Sequence, residues 1–209
     1  TAFAVPQIIP SDVLAAADRP GANDRLIMGH IGVGGMGGGH LRDMVNRQRS
    51  GQVAVAAVCD ADEKRLTNAS RTAGPQADVF RDYRYILDRQ DIDAVVISTP
   101  DHWHALMTID ACKAGKDIYL EKPITFTIRE SLALVKAVRE NNVLLAVGSQ
   151  QRSDPNFQHA VKLVQDGKLG EIEKVYAYVG APPTPYDLPR EILPADLNWD
   201  LWLGPNPYV

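Results

Sequence analysis

The chain has 209 residues, of which 45% are hydrophobic and 23% are charged, a composition typical of globular proteins. A formal net charge of −4, with no basic stripe, argues against nucleic acid as a partner. No apolar stretch approaches the ~20 residues needed to cross a bilayer, so no membrane segment is predicted.

The cysteines and the N-terminal residues give little functional information. Cys59 and Cys112 are too few for a disulfide framework or a metal site, and we predict that both are buried thiols. Residues 1–25 have no clear periodicity and are interpreted as a leader and connector. Within them, Ala2-Phe3-Ala4 resembles the small-x-small end of an export signal, with an ordinary disordered leader as the alternative.

From Leu26 onward, short apolar runs alternate with helical patterns. Strands are predicted at Leu26–Gly32, Val53–Cys59, Ala94–Ser98, Asp117–Leu120 and Leu144–Gly148. Helices are predicted at Met36–Arg49, Asp62–Thr72, Asp82–Arg89, His102–Ala114 and Thr127–Asn141. Repeated strand–helix–strand units predict an α/β fold, with a Rossmann-type doubly wound parallel sheet over residues 26–150.

A second domain is predicted to begin near Gln151. Pro155–Gly167 has a helical pattern and Glu171–Val179 alternates like a strand, and a proline-rich tail follows. About 60 residues are too few to enclose a good core. We therefore interpret residues 151–209 as the beginning of an α+β substrate domain that is incomplete in this sequence.

A glycine motif, Gly-Val-Gly-Gly-Met-Gly, starts at Gly32 between the first predicted strand and the first predicted helix. Gly32 permits a tight turn, Gly34 lets the backbone approach a pyrophosphate, and Gly37 lets the helix pack close to the strand. Amides at the start of the helix would face the phosphates, which adds Gly35 and Met36 to the predicted cofactor site. The alternative is a flexible glycine-rich loop.

Asp60 favours the cofactor interpretation, because it ends the second predicted strand about 20 residues beyond the glycine motif. A carboxylate at this position binds the hydroxyls of the adenosine ribose and repels a 2′-phosphate. The sequence therefore predicts dinucleotide binding, with NAD favoured over NADP.

The segment Ser98-Thr99-Pro100 follows another predicted strand, at the crevice where such sheets bind ligands. We predict that these three residues contact the cofactor and that the His104 imidazole lines the crevice. His102 and His104 form a His-x-His pair, but no cysteine or carboxylate cluster completes a tetrahedral metal site. No metal is therefore predicted.

Glu121-Lys122-Pro123 lies at the carboxyl end of the apolar run Ile118-Tyr119-Leu120. An amine held at the mouth of a parallel sheet, over a nicotinamide ring, is suited to acid/base catalysis in the oxidation of an alcohol. The structural alternative for Lys122 is a surface amine paired with a carboxylate.

Taken together, the segments resemble those of one family in their order along the chain. The matching segments are Ile31–Gly37, Val58–Asp60, Ser98–His104, Glu121–Pro123, Val147–Arg152 and Asp166–Ile172. The glycine motif alone is generic, but its order with Glu-Lys-Pro and Gly-Lys-Leu-Gly is specific. The chain is similar to the Gfo/Idh/MocA family of sugar and polyol oxidoreductases over nearly everything after Asp24.

The resemblance implies roles for individual residues. Lys122 would be the catalytic residue and would reach the reacting hydroxyl of the substrate. Glu121 and Gln150 would lie beside the nicotinamide, and Arg152 on the substrate side. The implied activity is NAD-dependent oxidation of a secondary alcohol of a sugar, polyol or derivative, with hydride transfer to nicotinamide.

The resemblance also bears on location and assembly. The leader is similar to the region after a twin-arginine signal in exported relatives, so we expect a periplasmic or exported protein, with a cytoplasmic one as the alternative. Relatives continue into an antiparallel sheet that supplies a catalytic aspartate and histidine and pairs subunits. We therefore expect an incomplete catalytic set in this sequence, and a homo-oligomer for the full-length protein.

Two other functions stay open on the sequence. One is a glycoside hydrolase that uses tightly held NAD for transient oxidation, although relatives of that type often replace the lysine found here as Lys122. The other is a non-catalytic cofactor-binding fragment, in which Trp199 and Trp202 would form an exposed patch for a partner.

Overall fold

The computed structural model describes residues 21, 24–182, 184–185 and 187–208. The Ala2-Phe3-Ala4 segment, and with it the prediction of export, lies outside these residues. Among the helices that the structure describes, none is long and apolar enough to cross a membrane.

Six strands form one parallel sheet. They are β1 (Leu26–Ile31), β2 (Val53–Cys59), β3 (Asp78–Phe80), β4 (Ala94–Ile97), β5 (Asp117–Leu120) and β6 (Leu145–Val147). The strand order is β3-β2-β1-β4-β5-β6, the order of a Rossmann dinucleotide-binding sheet. The order reverses between β1 and β4, which opens a crevice at the carboxyl ends of these two strands.

The strand register brings the ends of the strands to one edge of the sheet. Ile31 pairs with Cys59 on one side and Ile97 on the other, and Ile97 pairs in turn with Leu120. The residues that immediately follow these strand ends are Gly32, Asp60, Ser98 and Glu121. Four segments that the sequence assigned to the site therefore leave the sheet at the same edge.

Helices cover both faces of this sheet. Five of them are α1 (Gly35–Gln48), α2 (Glu63–Ala73), α3 (Arg84–Leu87), α4 (Asp101–Lys113) and α5 (Ile128–Asn141). One hydrophobic cluster contains Leu41 of α1 and Leu66 of α2, and another contains Ile86, Ala111 and Leu134 of α3, α4 and α5. The predicted doubly wound α/β sheet is thus confirmed.

Local sequence signals account for two helix boundaries. The Thr127 side chain accepts a hydrogen bond from the Glu130 amide at the start of α5, and the Glu130 carboxylate accepts from the Thr127 amide. This is the predicted capping box. Gly115 has φ of 70° just after α4, and its amide donates to Cys112, as expected of a glycine that ends a helix.

Two predictions about strands differ from the structure. The strand β3 was not predicted, because three residues are too few to show a period. The strand predicted at Glu171–Val179 is not formed, since no strand among the described residues pairs with it. Its alternating side chains, such as Tyr178 and Val179, are exposed and bury nothing. Alternation without a partner strand does not make a sheet.

The described residues divide into two compact units. The first ends at Gly148 and resumes at Ala195, and the second comprises Ser149–Pro194. The second unit contains a 3₁₀ turn (Gln150–Ser153) and α6 (Pro155–Gln165), and the returning segment of the first contains α7 (Trp199–Leu203). The sequence placed all of residues 151–209 in one domain, whereas Ala195 and the residues after it group with the Rossmann unit.

The interior of the sheet holds one ionisable side chain that predicts a pH response. His30 of β1 is 1% exposed, and neither ring nitrogen has a hydrogen-bond partner among the described residues. Burial, and secondarily the charge of His40, lower the pKa of His30 from 6.5 to about 4. The unfolded chain therefore binds more protons than the folded one between these values, so stability rises with pH in this window.

We expect the free energy of unfolding to fall by about 3 kcal/mol as the pH is lowered from 6.5 to 4, because protonated His30 is not tolerated inside the sheet. Urea unfolding at several pH values measures this slope. His30→Leu keeps a side chain of similar size without a proton site, and it should flatten the profile. An equally steep profile in His30→Leu would assign the pH response to other groups.

Candidate active site

The first turn of the crevice requires glycine at position 32. Gly32 follows β1 with φ of 79°, a conformation that side chains rarely adopt. A Cβ atom at this position would lie 2.7 Å from the Ser98 carbonyl group and 2.8 Å from the Thr99 amide nitrogen. The turn after β1 and the loop after β4 are therefore in backbone contact at the switch point, and Gly32 makes the tight turn that the glycine motif predicts.

The helix that follows packs closely against this turn. A Cβ atom at Gly37 would overlap the Gly32 carbonyl oxygen, so the predicted close approach of helix and strand is confirmed. A Cβ at Gly34 would lie 2.7 Å from the Arg65 guanidinium, and one at Gly35 would meet nothing within 4 Å. Met36 lies in the first turn of α1 and is 44% exposed.

The start of α1 fits a phosphate group. Gly34 is the N-cap residue and supplies no side-chain hydrogen bond, and the first turn contains no acidic residue. No side chain of the helix itself therefore competes with a bound anion for the positive end of the dipole. The helix terminus, the glycine turn and the nearby Arg65 together favour a negatively charged ligand.

Asp60 lies where the sequence placed it, at the first position after β2, but it also holds the local backbone. One carboxylate oxygen accepts a hydrogen bond from the Val33 amide at 2.9 Å, and the other accepts from the Asp62 amide at 3.0 Å. Burial raises the pKa of the Asp60 carboxyl, while these amides and then Arg65 oppose the shift. Asp60 thus connects the glycine loop to the start of α2.

The loop after β4 offers two unpaired hydroxyls to the crevice. Among the described residues, Ser98 Oγ and Thr99 Oγ1 are buried atoms without a hydrogen-bond partner. Buried polar atoms are normally paired, so the two hydroxyls fit a ligand that supplies polar groups. Pro100 follows and precedes α4, and all three residues line the cavity described next.

A cavity of about 180 Å³ lies beside Asp60. Pockets that enclose a whole small ligand measure ~300–1,000 Å³, so this one suits part of a dinucleotide. Besides the predicted residues, its walls include residues that the sequence reasoning missed, namely Arg65, Arg81, Tyr83, Trp103, Leu201 and Trp202. Asp60 lines this cavity, so the role predicted for Asp60 would place the adenosine end of a dinucleotide here.

Trp202 lines the same cavity although it is distant in sequence from most of the other lining residues. Its carbonyl oxygen accepts hydrogen bonds from Trp103 Nε1 at 3.2 Å and from His102 Nε2 at 2.9 Å. Its indole ring stacks on Trp199 with centroids 5.0 Å apart. Both tryptophans are half-buried, so they do not form the exposed partner-binding patch considered for a non-catalytic fragment.

Lys122 is exposed at the end of β5. Among the described residues, its ammonium has no hydrogen bond or ion pair. The neighbouring Glu121 is 4% exposed and faces inward: one oxygen lies 2.7 Å from His40 Nε2, and the other accepts from the Lys122 amide at 3.1 Å. The Lys122–Pro123 peptide bond is cis. The structural alternative of a surface ion pair for Lys122 is thus not realised in the described part of the chain.

His104 does not line the crevice, contrary to the prediction. It is 1% exposed, with Nε2 2.9 Å from the Thr99 carbonyl oxygen and Nδ1 2.6 Å from the Pro123 carbonyl oxygen. The helix α4 turns this side chain inward because residues 103–105 are all buried at its first turn. His104 therefore supports the crevice from within, by joining the loop after β4 to Glu-Lys-Pro.

The remaining predicted residues lie in the second unit. Gln150 and Arg152 occupy the 3₁₀ turn Gln150–Ser153, and both are exposed. Their roles toward cofactor and substrate stay predictions. Within the described part of the chain, no group of three histidine, cysteine or acidic residues is placed to hold a metal ion.

Comparison with known proteins identifies the family. The sequence profile of the Gfo/Idh/MocA oxidoreductase family, described as an NAD-binding Rossmann fold, matches residues 27–149. The chain belongs to this family. The matched range contains the glycine turn, Asp60, the loop after β4 and Lys122, and the family's fold is one that binds NAD.

Several proteins similar to this chain are named inositol dehydrogenases. Inositol 2-dehydrogenase 2 of Saccharopolyspora erythraea is 32% identical over 160 residues, which cover 75% of this chain and 46% of that protein. The crystal structure of myo-inositol 2-dehydrogenase from Lactobacillus plantarum superposes with a TM-score of 0.65 at 31% identity, covering 71% of this chain and 43% of that one.

A second similar structure contains a cofactor. The scyllo-inositol dehydrogenase of Lactobacillus casei, solved with NAD(H) and scyllo-inositol bound, has a TM-score of 0.63 at 26% identity and covers 70% of this chain and 43% of its own. The present chain thus spans less than half the length of these relatives.

Proposed function

We propose that the protein containing this chain is an NAD-dependent oxidoreductase that oxidises a secondary alcohol of a sugar or polyol. The observation that carries the proposal is the exposed Lys122 ammonium at the carboxyl end of β5, which has no partner among the described residues. His104 connects its neighbour Pro123 to the Thr99 loop of the NAD crevice. Several relatives are named inositol dehydrogenases, which supports a polyol as the substrate class.

We assign the following roles to the residues of this chain. The glycine turn and the start of α1 bind the pyrophosphate, and Asp60 binds the adenosine ribose. When bound, NAD supplies the hydride acceptor. Lys122 would orient the substrate hydroxyl and accept its proton as the alcohol is oxidised to a carbonyl group. Gln150 and Arg152 would contact the nicotinamide and the substrate.

We expect NAD to bind more tightly than NADP, because the Asp60 carboxylate accepts from ribose hydroxyls and repels a 2′-phosphate. Isothermal titration of both cofactors against the parent and Asp60→Ala measures the preference, and the variant should lose most of it. The variant should also be less stable by about 1–3 kcal/mol, since the Val33 and Asp62 amides lose their acceptor.

Asp78→Ala provides the control for this experiment. Asp78 is an exposed carboxylate of the same unit, paired with Arg89 and outside the cavity walls. It should leave the NAD preference unchanged. A parent protein that binds NADP as tightly as NAD would contradict the role of Asp60.

The activity itself is tested with the native protein that contains this chain. Purified protein is incubated with NAD and a panel of inositols, other polyols and sugars, and NADH is followed by its absorbance. Net NADH formation with at least one secondary alcohol is expected. Cleavage of a glycoside without net NADH would instead assign the protein to the NAD-dependent hydrolases, and the absence of both reactions across the panel would contradict the proposal.

A further inference from the structure

Two histidines from different helices contact the Glu-Lys-Pro segment on either side of Lys122. His40 of α1 has Nε2 2.7 Å from Glu121 Oε1. His104 of α4 has Nδ1 2.6 Å from the carbonyl oxygen of Pro123. Lys122 thus stands between two residues that are fixed from inside the protein, while its own side chain is exposed.

The contact with His40 gives the buried Glu121 carboxylate the hydrogen-bonding partner that it requires. Glu121 is 4% exposed, and a buried carboxylate is costly unless it is paired and hydrogen-bonded. Within the described part of the chain, His40 is the basic side chain that pairs with it. The ring of Tyr119 packs edge-on against His40 with centroids 5.1 Å apart, which fixes the imidazole. The second Glu121 oxygen then accepts from the Lys122 amide.

The space around Glu121 leaves it little freedom to turn away. A Cβ atom at Gly148, just after β6, would lie 2.8 Å from Glu121 Oε1 and 3.0 Å from the Tyr119 hydroxyl. The carboxylate is therefore enclosed by β6 on one side and α1 on the other. Glu121 is held in one orientation, and the Lys122 amide is held with it.

His104 provides the contact on the other side. Its two ring nitrogens lie against two carbonyl oxygens, those of Thr99 and Pro123. A neutral imidazole donates to one of them, and the protonated ring donates to both. The ring, which is 1% exposed, lies between the loop after β4 and the residue after Lys122 and sets their separation.

We infer that His40 and His104 are positioning residues that hold Glu121 and Pro123 so that Lys122 presents its amine to the substrate. The inference rests on the proposed function, because it assigns the chemistry to Lys122. It links α1, through His40 and Glu121, to the backbone amide of Lys122. Neither histidine needs to touch substrate or cofactor for this role.

The kinetic test uses the native protein that contains this chain, with His40→Gln, His40→Ala and His104→Gln. We expect the loss of position to lower kcat by up to ~100-fold while the Kd for NAD stays unchanged. His40→Gln retains a donor for Glu121 and should be more active than His40→Ala. The matched control is His159→Gln, at an exposed histidine of α6 in the second unit, and it should behave as the parent.

Each substitution is then repeated in a Lys122→Ala background. If the histidines act through Lys122, they should cause no further loss of kcat there, because residues that act as one unit are not additive. A purely structural role would lower kcat to the same extent in both backgrounds, and that result would overturn the inference.

A second measurement does not depend on turnover. Hydrogen exchange of the Lys122 amide, followed by NMR, should be faster in His40→Ala and His104→Gln than in the parent, since the Glu121 acceptor and the Pro123 contact are loosened. Unchanged exchange in both variants would overturn the inference. A parent that forms no NADH but shows this exchange pattern would contradict the proposed function and leave the positioning role supported.

Discussion

Lys122→Ala is expected to lower kcat by about 10²–10⁴-fold in the native protein that contains this chain, the usual contribution of a positioned acid/base. The Lys122 ammonium is exposed and makes no hydrogen bond or ion pair with a described residue. Its removal therefore leaves no buried group without a partner. The melting temperature and the Kd for NAD should stay close to those of the parent. Steady-state kinetics, thermal unfolding and NAD titration measure the three quantities.

The control for this experiment is Lys136→Ala on α5. Lys136 is also an exposed lysine of the Rossmann unit, where it forms a surface ion pair with Glu140. Such pairs contribute ~0–1 kcal/mol, so this variant should match the parent in activity and stability. A Lys122→Ala protein that keeps full activity but unfolds at a clearly lower temperature would show that the lysine is structural.

Much of the fold could be predicted because its signals are local. The continuously apolar run Val95-Val96-Ile97 marked a strand covered on both faces, and Thr127 with Glu130 marked the start of α5. The same kind of signal gave a wrong strand prediction at Glu171–Val179, where the side chains alternate but no described strand pairs with the segment. A strand depends on its neighbour, and sequence alternation does not show whether the neighbour exists.

The same distinction between local and long-range signals decides which features of the site could be predicted. Glycine positions could be predicted because backbone geometry alone requires them, as at Gly32. The contacts that hold the side chains could not, because they join distant parts of the chain. His40 and Glu121 are 81 residues apart, and Trp103 and Trp202 are 99 apart. Without a fold in hand, nothing in the sequence around His40 indicates that its partner is Glu121.

The second large effect is expected at the glycine that lets α1 approach β1. Gly37→Ala would place a methyl group onto the Gly32 carbonyl oxygen, so the helix has to move or the turn has to open. Overpacking of this kind costs about 1–3 kcal/mol of stability. The same displacement moves the first-turn amides away from the pyrophosphate. We therefore expect Gly37→Ala to bind NAD roughly 100-fold more weakly, which corresponds to a loss of about 3 kcal/mol in binding free energy.

Gly39→Ala on the same helix separates crowding from the general effect of replacing a glycine. A Cβ atom at Gly39 would meet only the end of the Arg42 side chain, at 4.0 Å. Because alanine is favoured over glycine inside a helix, this variant should be more stable by roughly 0.5–1 kcal/mol and should bind NAD as the parent does. Calorimetric titration with NAD and urea unfolding of both variants provide the comparison. If Gly37→Ala bound NAD like Gly39→Ala, the close packing of α1 on the glycine turn would have no part in cofactor binding.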